Sequence, residues 1–553
     1  MPTVTLSKSV FEKLVGKKLP LSELKERISY LGTDLEKIDG DEIHVEIFPN
    51  RPDLLSEQGF ARAFSSFIGI KKGLRKYDVK KTNMQLIVKN LPKEWPYAIA
   101  CVIKGLKLTD EKVREIIQLQ EKLGTTLTRN RSKGGIGLYP VEKVKFPITF
   151  CGKKPEDIRF RPLEFPKEIN ARQILSMHPK GRDYGHLMEN WKTYPVFIDA
   201  NGVFMSMPPI INSHEVGKID ENTTDLFLEC TGPDLNTIHK SLNIMVTSLA
   251  DMGGEIHGLE VVYPEKKMKF ICPDLTPKKM KLDLNYVNKR LGLDLKEKDA
   301  KDLLERMGFG YEKGNVLVPA YRNDILHQVD FVEDIAIAYG YENFEPVMEP
   351  VATTGEEDPF QKFKRRVSYL LIGLSLMEVK TYHLLNMEDL TTKMNSTSVG
   401  GLEIANPTSA EFNTLRSWII PSLMDVLNRN KHNEYPQNIF DIGKCFKENS
   451  KTETNTEEFT RLGVMLCDAE TDFTKAKQIL DYLFRMLELE YKVEDTECSS
   501  FIPGRVGRVS VNGKKVAYIG EINPIVLDNW EIDMPVSGFE LNLTDIFEII
   551  NKK

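Results

Sequence analysis

Acidic side chains crowd one short stretch of the sequence, "YRNDILHQVDFVEDIAIAYGY", at residues 321–341. Four of them, Asp324, Asp330, Glu333 and Asp334, fall within eleven consecutive positions. Carboxylate oxygens are the ligands that Mg²⁺ prefers in proteins, and this ion often takes only one or two protein carboxylates together with waters. The stretch is therefore a candidate site for one Mg²⁺ ion, which a second chain could share.

Helical periodicity would hold these acids in place. Apolar residues recur in the stretch at the helical spacing of about 3.6 residues and predict a buried stripe. The members of this stripe are Ile325, Val329, Val332, Ala336 and Tyr339. Asp324 is the predicted cap of the first turn, Gly340 is the predicted stop, and the later three acids line the face beside the stripe.

The same cluster has a simpler interpretation, a solvated face whose acids are favoured by the positive end of the helix dipole. The local pattern favours this solvated face. Against it, Asp330 and Asp334 form a like-charge pair four residues apart, with no Lys or Arg on that face. Such a pair costs roughly a few tenths of a kcal/mol, so a cation would relieve it. Both interpretations stay open on the residues alone.

Two loop segments have the composition of pocket walls: "HPKGRDYGHLM" at 178–188 and "SMPPIINSHEVGKID" at 206–220. Each places small and polar residues beside apolar strands, which is typical of a ligand pocket. Neither contains a Ser-His-Asp constellation or a nucleophile elbow, so covalent catalysis is poorly supported. The polar turn that follows Pro208 and Pro209 can equally be an ordinary turn.

A stiff corner with the sequence "PNRPD" precedes an amphipathic helix in the first part of the chain. Pro49 and Pro52 restrict the backbone, and Asp53 or Ser56 can cap the helix that follows. The corner either exposes Arg51 for binding or is purely structural, with Arg51 bonded to a carbonyl or to Asp53. The structural corner is the interpretation that the local pattern favours.

Composition places the chain among ordinary soluble globular proteins. It has 553 residues, 41% of them hydrophobic and 28% charged, which suggests about three to four domains. The net charge of −6 is unlike that of a dedicated nucleic-acid coat, which would be basic overall. Seven cysteines without a CxxC pair fit a reducing compartment and suggest neither disulfides nor a zinc site. The sequence has no signal-peptide core and no membrane-length apolar run, so we expect a cytoplasmic protein with no membrane partner.

The chain divides into four predicted domains, and its predicted fold class is α+β and multidomain. Residues 1–85 are predicted to form an α/β domain that ends in a lysine-rich run, and residues 86–268 are rich in short strands and glycine turns. Residues 269–346 run helix, helix, hairpin, helix, a winged-helix-like order, and residues 347–553 predict antiparallel strands with interspersed helices. The acidic helix of the third domain would repel a phosphate backbone, so its fold alone does not predict DNA binding.

Four landmarks occur in one order along the chain: "NRPDLLSEQG", "PPIINSHEVGKI", the acidic stretch, and "NPTSAEFNTLRSWIIPSLMDVLNRN" with "FDIGKCF". Together they resemble the beta subunit of phenylalanine–tRNA ligase of the archaeal and eukaryotic type, over essentially the whole chain. The resemblance implies a class II aminoacyl-tRNA synthetase, assembled as a tetramer of two alpha and two beta subunits, with synthesis on alpha. The expected partners are the alpha subunit, phenylalanine tRNA and, through alpha, ATP and phenylalanine.

The resemblance also gives the domains a role. It implies an editing domain of the B3/B4 type at 86–268, a winged-helix-like B5 domain that binds Mg²⁺ at 269–346, and a catalytic-like module built on a class II antiparallel sheet at 347–553. In this family the acidic pattern binds Mg²⁺, and it maps onto Asp324, Asp330, Glu333 and Asp334. Mg²⁺ is therefore the expected cofactor.

Editing, in this resemblance, means hydrolysis of mischarged tyrosyl-tRNA. A site of this kind can orient a water molecule and pair with the tyrosine hydroxyl that phenylalanine lacks, because buried polar groups select a hydroxyl strongly. Such a site would explain a pocket without nucleophile chemistry. The residues expected to line it are His178, Asn212, Ser213 and Glu215.

No residue of the synthetic active site is expected on this chain. Class II active sites hold the ATP γ-phosphate with an arginine on a late strand-to-helix segment, because a guanidinium pairs with two phosphate oxygens. The corresponding segment, "VSGFELNLTDIFEII", contains Gly538 but no arginine, and Arg508 is the last arginine in the chain. "NIFDIGKCF" likewise lacks the Arg-x-Glu of active subunits. The helix and strand at 360–386 are then the predicted subunit interface.

Two other function classes stay open. One is a stand-alone hydrolase of mischarged tRNA, with residues 347–553 as a dimerisation module. The other is a non-enzymatic nucleic-acid or scaffold protein built on the winged-helix-like domain, which the acidic helix and the charge of −6 argue against. Co-purification of an obligate partner in equal amount would separate the ligase subunit from the hydrolase.

Overall fold

The computed structural model describes residues 2–348, 351–396 and 400–552. The chain folds as two units, Met1–Met348 and Glu349–Lys553. The mixture of helices with mostly antiparallel sheets confirms the predicted α+β, multidomain fold class. All seven cysteines are free, as their spacing predicted, and six of them are buried.

The first unit begins with three antiparallel strands, β1 (Thr3–Ser7), β2 (Asp34–Asp39) and β3 (Glu42–Glu46), with β3 in the middle. Three helices accompany them, α1 (Lys8–Val15), α2 (Leu21–Tyr30) and α3 (Glu57–Phe67). Alternation along β1 buries Val4 and Leu6, while the helical spacing of α1 and α3 brings Phe11 and Phe64 together with their ring centroids 5.2 Å apart.

The proline-stiffened corner before α3 is structural. Arg51 is buried, and its Nε and Nη2 each donate to a carboxylate oxygen of Asp53 at 2.9 Å. The prediction that Arg51 is exposed is therefore wrong, and the alternative of a structural corner is confirmed. Ser56 caps α3 by accepting from the backbone N–H of Gly59. The corner turns the guanidinium back onto its own chain because bidentate pairing satisfies both buried charges.

A mixed sheet of ten strands forms the middle of the first unit. The next strands along the chain are β4 (Val79–Lys89), β5 (Tyr97–Lys104), β6 (Gly135–Pro140), β7 (Ile148–Lys153), β8 (Arg159–Phe160), β9 (Ile169–Asn170), β10 (Tyr194–Ile198), β11 (Phe204–Met207), β12 (Ile211–Asn212), β13 (Leu226–Gly232), β14 (Glu255–Tyr263) and β15 (Met268–Cys272). The order in the sheet is β12-β11-β10-β7-β4-β14-β5-β13-β6, with β15 paired to β14, while β8 and β9 pair separately. The predicted boundary at 85/86 falls inside β4.

Five helices belong to this part of the chain: α4 (Asp110–Thr125), α5 (Ala171–Met177), α6 (Pro179–Tyr184), α7 (His214–Gly217) and α8 (Leu235–Asp251). The central strands β5 and β13 are buried along nearly their whole length, and α8 packs on both. A strand covered on both faces reads as a continuous apolar run instead of an alternating one.

The last part of the first unit has the predicted order of helix, helix, hairpin, helix. Its elements are β16 (Lys278–Lys281), α9 (Leu284–Leu291), α10 (Glu297–Arg306), β17 (Gly310–Glu312), β18 (Asn315–Val318) and α11 (Gln328–Tyr339), and β18 lies between β16 and β17. Gly292 and Gly340 follow α9 and α11 with φ values of 68° and 95°, which a residue with a side chain rarely adopts. The hairpin turns at Lys313 and Gly314, as predicted.

The second unit is built on a seven-stranded sheet. Its strands are β19 (Met377–Glu378), β20 (Leu384–Leu385), β21 (Leu402–Glu403), β22 (Thr414–Leu415), β23 (Gln437–Glu448), β24 (Thr456–Cys467), β25 (Lys492–Asp495), β26 (Phe501–Val511), β27 (Lys514–Ile522) and β28 (Val536–Asn542). The main sheet has the order β19-β23-β24-β28-β27-β26-β25 and is antiparallel except for the parallel pair β19 and β23. Strands β20, β22 and β21 form a small separate sheet.

Helices cover both faces of this sheet. They are α12 (Pro359–Ile372), α13 (Met387–Leu390), α14 (Ile420–Arg429), α15 (Phe473–Met486), α16 (Pro524–Asn529) and α17 (Leu543–Asn551). Along β24, Leu462 and Val464 pack with α12, α15 and α17, whereas Met465 and Cys467 pack with α14 on the other side. The period of two along a strand thus divides the unit into two cores.

Candidate functional site

A cavity of about 580 Å³ opens in the middle of the first unit. Its walls come from α4, from the turn and strand at 131–138, from the start of α6, from the segment 208–219, and from β13. Both segments predicted to be pocket walls, 178–188 and 206–220, therefore contribute to it. Its volume lies within the range of roughly 300–1,000 Å³ that is usual for sites of small ligands.

Glu229 is the buried carboxyl on the wall of this cavity. It lies on β13 and is buried, and one of its oxygens, Oε2, has no hydrogen-bond partner in the part of the chain that the structure describes. Burial raises the pKa of this carboxyl from 4.5 to about 8, and the hydrogen bond from Tyr139 only partly opposes the rise. Glu229 is therefore mostly protonated at neutral pH and can donate a hydrogen bond to a ligand.

Tyr139 connects the walls around Glu229. Its hydroxyl oxygen lies 2.7 Å from Ser206 Oγ, 3.2 Å from Asn212 Oδ1 and 3.3 Å from Glu229 Oε1. These residues belong to four different strands, β6, β11, β12 and β13. Because a buried hydroxyl without partners is costly, this network fixes the side chain of Glu229 in one orientation.

Two of the four residues predicted for the pocket line it, and two do not. His178 and Asn212 are on the wall. Ser213 is buried and donates to Glu215 at 2.8 Å, while Glu215 itself is exposed and lies off the wall. The turn at 213–215 directs the side chains of Ser213 and Glu215 away from the cavity. A run of polar residues in a sequence does not show in which direction each side chain of a turn points.

His178 is held as part of the structure. Its Nδ1 accepts from the backbone N–H of Lys180 at 3.1 Å, so the proton is on Nε2, which lies 3.0 Å from the carbonyl oxygen of Leu163. Both ring nitrogens are therefore engaged in capping α6 and closing the wall. His178 is not free to act as a base in this arrangement.

Two further polar groups accompany Glu229. His214 lines the cavity, and its Nδ1 is buried and has no hydrogen-bond partner among the described residues. Thr231 lies on the same face of β13 as Glu229, and its hydroxyl likewise has no partner among those residues. Leaving such buried polar atoms unpaired is costly, so they can make hydrogen bonds to a ligand in the cavity. The sequence signal for this site is the single carboxylate in the apolar strand "LFLECTG".

The four predicted magnesium ligands do not come together. Asp324 and Asp334 both pair with the buried guanidinium of Arg322, at 2.7 and 2.6 Å. Asp330 accepts from two backbone N–H groups, those of Leu326 and His327. Glu333 accepts a hydrogen bond from the hydroxyl of Tyr341. Over residues 2–348, 351–396 and 400–552, no group of three or more His, Cys, Asp or Glu side chains is arranged to hold a metal ion.

This arrangement does not fit a Mg²⁺ ion held by all four carboxylates. Arg322 supplies a positive charge to two of the four acids, Asp324 and Asp334. As the sequence indicated, no Lys or Arg lies on that face of the helix, and the cation that relieves Asp334 is Arg322 from the segment before the helix. Mg²⁺ binding itself stays a prediction.

The acidic helix also differs in detail from its prediction. Its cap is His327, whose Nδ1 accepts from Val329, and Asp330 completes a capping box, so Asp324 is not the cap. Val329 is 43% exposed, whereas Asp334 is buried. Ile325, Val332 and Ala336 of the predicted stripe are buried, so the buried face includes most of the stripe and extends beyond it to Asp334, whose ion pair with Arg322 allows a carboxylate to be buried.

Two buried charged side chains of the second unit, Arg416 and Glu540, bond mainly to other groups of the same unit, although Arg416 Nη2 has no hydrogen-bond partner in the described residues. Arg416 is fully buried, with Nε donating to the carbonyl of Lys444 at 2.9 Å and Nη1 to Thr381 at 2.6 Å. Glu540 accepts from the backbone N–H groups of Ile419 and its neighbour at the start of α14. These groups serve the fold and are not presented to a nucleotide.

Apolar side chains are exposed on α12 and the segment after it. Tyr369 is 66% exposed, Met377 is 68% exposed and Tyr382 is 79% exposed, and Ile372 lies between them in sequence. We call these four residues the 369–382 patch. A group of large apolar residues in contact with water is typical of a surface that binds another protein.

No helix in the described residues has the length and apolar character needed to cross a lipid bilayer.

Comparisons with known proteins agree across the whole chain. Residues 280–341 match the family model of the tRNA synthetase B5 domain, and residues 345–543 match the model of the phenylalanyl tRNA synthetase beta chain CLM domain. The chain is 41% identical to the phenylalanine–tRNA ligase beta subunit of Pyrococcus abyssi, over 99% of this chain and 100% of that one. It is 36% identical to the corresponding subunit of Archaeoglobus fulgidus, over 99% of both chains.

A solved structure is similar as well. It is an N-terminal fragment of the phenylalanyl-tRNA synthetase beta subunit from Pyrococcus horikoshii, with 37% sequence identity and a TM-score of 0.58, and the match covers 62% of this chain and 100% of that one. Relatives of this identity, matched along their full length, share a common ancestor and a fold. The chain therefore belongs to the phenylalanine–tRNA ligase beta-subunit family.

Proposed function

We propose that this chain is the beta subunit of a phenylalanine–tRNA ligase, and that with an alpha partner it attaches phenylalanine to its tRNA at the expense of ATP. The full-length similarity to curated beta subunits supports this proposal. Synthesis would take place on alpha, because the strand-to-helix segment β28–α17 carries no arginine for the ATP phosphate and Arg416 is buried and engaged. ATP and phenylalanine would therefore be bound by the partner.

The second part of the proposal concerns the cavity, which would hydrolyse mischarged tyrosyl-tRNA. The observation that supports it is the buried carboxyl of Glu229, which has one oxygen without a partner. A tyrosine hydroxyl would pair with this oxygen, while phenylalanine would leave it unpaired at a cost of about 1–3 kcal/mol. Such a site separates two amino acids that differ by a single oxygen atom.

The chemistry assigned to the cavity needs no covalent intermediate. Tyr139 would hold Glu229 in place, and the protonated carboxyl would donate to the tyrosine hydroxyl. The unpartnered Nδ1 of His214 would orient the water or the ribose at the ester. With the amino acid held in this way, water attacks the ester carbonyl and the tRNA leaves with its free hydroxyl.

We further propose that the 369–382 patch binds the alpha subunit, in an assembly of two alpha and two beta subunits. The patch coincides with the interface predicted at 360–386. Tyr and Met are enriched in protein interfaces, and the exposed rings of Tyr369 and Tyr382 would be covered on assembly. Its charged surroundings, Lys364, Arg365 and Lys380, would form the polar rim.

The experiment compares the isolated chain with the complex formed after alpha is added. We expect phenylalanine-dependent pyrophosphate exchange only in the complex, and we expect Glu229→Ala in the complex to accumulate Tyr-tRNA while Phe-tRNA synthesis continues. The matched control is Glu215→Ala, which removes an exposed carboxylate off the cavity wall. Exchange by the isolated, folded chain would contradict the first part, and unchanged deacylation by Glu229→Ala would contradict the second.

The alternative function, a stand-alone deacylase, predicts different results from those of a ligase subunit. If the chain is a stand-alone deacylase, it will hydrolyse Tyr-tRNA without alpha and purify without a stoichiometric partner. The exposed 369–382 patch fits either an alpha partner or a second copy of the chain, so the stoichiometric partner found on purification decides between the two functions.

A further inference from the structure

A strained turn borders the cavity, with Arg131 and Gly134 on the cavity wall and Arg129 and Lys133 next to them in the chain. Three consecutive residues, Arg129, Asn130 and Arg131, have φ values of 49°, 52° and 62°, in the left-handed region that residues with side chains rarely adopt. Each such residue costs about 1–2 kcal/mol. Strained residues of this kind persist where surrounding bonds over-determine them, and they concentrate at functional sites. The turn is therefore a candidate for a function beyond linking α4 to β6.

Backbone hydrogen bonds hold the turn in this shape. The N–H of Arg129 donates to Thr126, that of Asn130 to Thr125 and that of Arg131 to Gly124, at 2.8–3.1 Å. The N–H of Lys133 returns to Thr128 at 2.9 Å. Three bonds thus close the turn onto the end of α4 and a fourth lies within the turn, so its side chains leave from fixed positions.

Arg131 anchors the turn to the opposite walls of the cavity. Its Nη1 donates to the carbonyls of Pro209 and Ile210 at 3.1 and 3.0 Å, and its Nη2 pairs with Glu121 at 2.8 Å. The guanidinium carbon also lies 4.4 Å from the centre of the Tyr184 ring. Arg131 is therefore a structural cation, and its charge is already compensated.

The cations on either side of Arg131 are different. Arg129 and Lys133 are exposed, and within the described residues neither side chain has an ion pair or a hydrogen bond. Lys218, on the cavity wall, likewise has an unpaired ammonium group over the same residues. An arginine that is held on a strained backbone without a partner has a charge that is free for a ligand.

Acidic groups near the mouth do not cancel these charges. Of the carboxylates on the cavity wall, Glu121 is shared by Arg131 and Lys180, and Glu229 is largely protonated because burial raises its pKa. Glu164 is the remaining one. The rim is therefore net positive, in a chain whose overall charge is −6.

We propose that Arg129 and Lys133 bind backbone phosphates of the single-stranded 3′ end of the tRNA. This inference rests on the proposed function of the cavity. A volume of about 580 Å³ accommodates the terminal aminoacyl nucleoside, so the phosphates of the preceding nucleotides stay at the rim. Arginine pairs with two phosphate oxygens and lysine acts as a compact charge, so both suit this ligand. Contacts to phosphate give affinity without reading the base.

The test is charge reversal in the complete complex with alpha, R129E together with K133E. The matched control is K89E together with K93E, since Lys89 and Lys93 are also exposed and unpaired in the described residues and lie off the cavity wall. For Tyr-tRNA deacylation we expect KM to rise about tenfold or more with kcat within about twofold. The dependence of log kcat/KM on log salt should become shallower by roughly 1.4, since each single-strand phosphate contact contributes about 0.7.

A phosphate-free substrate separates the rim from the cavity. Tyrosyl-adenosine has the ester and the ribose but no phosphate. The kcat/KM for tyrosyl-adenosine divided by the kcat/KM for Tyr-tRNA should therefore rise about tenfold in R129E/K133E and stay unchanged in K89E/K93E. The conservative pair R129K/K133R should restore the KM for Tyr-tRNA. An unchanged KM and salt dependence in R129E/K133E would overturn the proposal.

If the proposed deacylation function is wrong, the experiments give a different result from the one expected if only the rim proposal is wrong. If the wild-type complex hydrolyses neither substrate, the assignment of deacylation is wrong, and the rim is then judged by binding alone. The probe is a fluorescently labelled single-stranded oligonucleotide ending in CCA, followed by anisotropy. Weaker binding by R129E/K133E than by K89E/K93E supports phosphate binding at the rim, and equal binding overturns it.

Discussion

Glu229 and Gly137 face each other across the antiparallel strands β13 and β6. A Cβ atom at position 137 would lie 2.7 Å from the hydroxyl of Tyr139 and closer still to Glu229 Oε1. Glycine at this position is what lets the carboxyl and the hydroxyl meet at the cavity wall. The specificity assigned to Glu229 thus depends on the absence of a side chain on the neighbouring strand.

Gly137→Ala is therefore expected to displace Glu229 and reduce Tyr-tRNA deacylation by about tenfold or more, with a loss of stability of about 1–3 kcal/mol from overpacking. The measurement is single-turnover deacylation by the complex together with urea unfolding. Gly185→Ala is the control, because a Cβ there makes only ordinary contacts at 3.6–3.8 Å. Equal activity of the two variants would contradict the assigned role of this contact.

Glu229 also makes stability depend on pH. The folded state holds its proton up to a pKa of about 8, against an ordinary 4.5, so its contribution is present at low pH and is lost as pH rises between these values. Glu229→Gln does not titrate. We expect its Tm to exceed that of the wild type by an amount that grows from pH 5 to pH 9, reaching about 2–6 °C. The exposed Glu94 gives the control, Glu94→Gln, and a constant difference across pH would argue against the raised pKa.

Arg322 balances two buried carboxylates, so Arg322→Met should destabilise the first unit by about 3–5 kcal/mol, since Asp324 and Asp334 then stay buried without their partner. Arg159→Met removes an exposed ion pair with Glu168 and should change stability by about 1 kcal/mol or less. Urea unfolding of both variants provides the comparison. Similar losses for the two would show that the Arg322 pair is not the buried, tightly coupled one described above.

Mg²⁺ binding by the acidic stretch is tested by Asp330→Asn with Glu333→Gln. If the ion binds in the assembled complex, metal content measured by mass spectrometry should fall, by about one ion per chain. The control removes the same charge from α10, through Asp302→Asn with Glu305→Gln. If metal content and assembly are the same in both, Asp330 only caps its helix and Glu333 only bonds Tyr341.

The 369–382 patch predicts a defect in assembly. Ile372→Glu with Met377→Glu should weaken binding of alpha by about a hundredfold or more, because burying an unpaired carboxylate in an interface is strongly unfavourable. Analytical ultracentrifugation of the mixed subunits measures this. Ile525→Glu, on an exposed apolar residue elsewhere in the same unit, is the control. Normal assembly of the double variant would place the alpha subunit on another surface.

Local features were predictable where neighbouring residues decide them. The hairpin at Lys313 and Gly314 and the end of α11 at Gly340 follow from glycine conformations and short-range apolar spacing. The positions of the two pocket segments also followed from composition. Which residues of those segments line the cavity could not be predicted. Asn212 lies on the wall and Glu215 does not, because neighbouring residues of a turn point in different directions.

The sequence by itself determined the family, the order of the elements and the segments that border the cavity, since each of these depends on residues close together in the chain. Only the tertiary structure decided which polar groups meet. Tyr139, Ser206 and Glu229 lie on separate strands and become neighbours because the two ends of the ten-stranded sheet approach each other through these side chains. Arg322 reaches Asp334 in the same way, across a helix cap. Pairing between distant segments depends on register and burial, which no local spacing encodes.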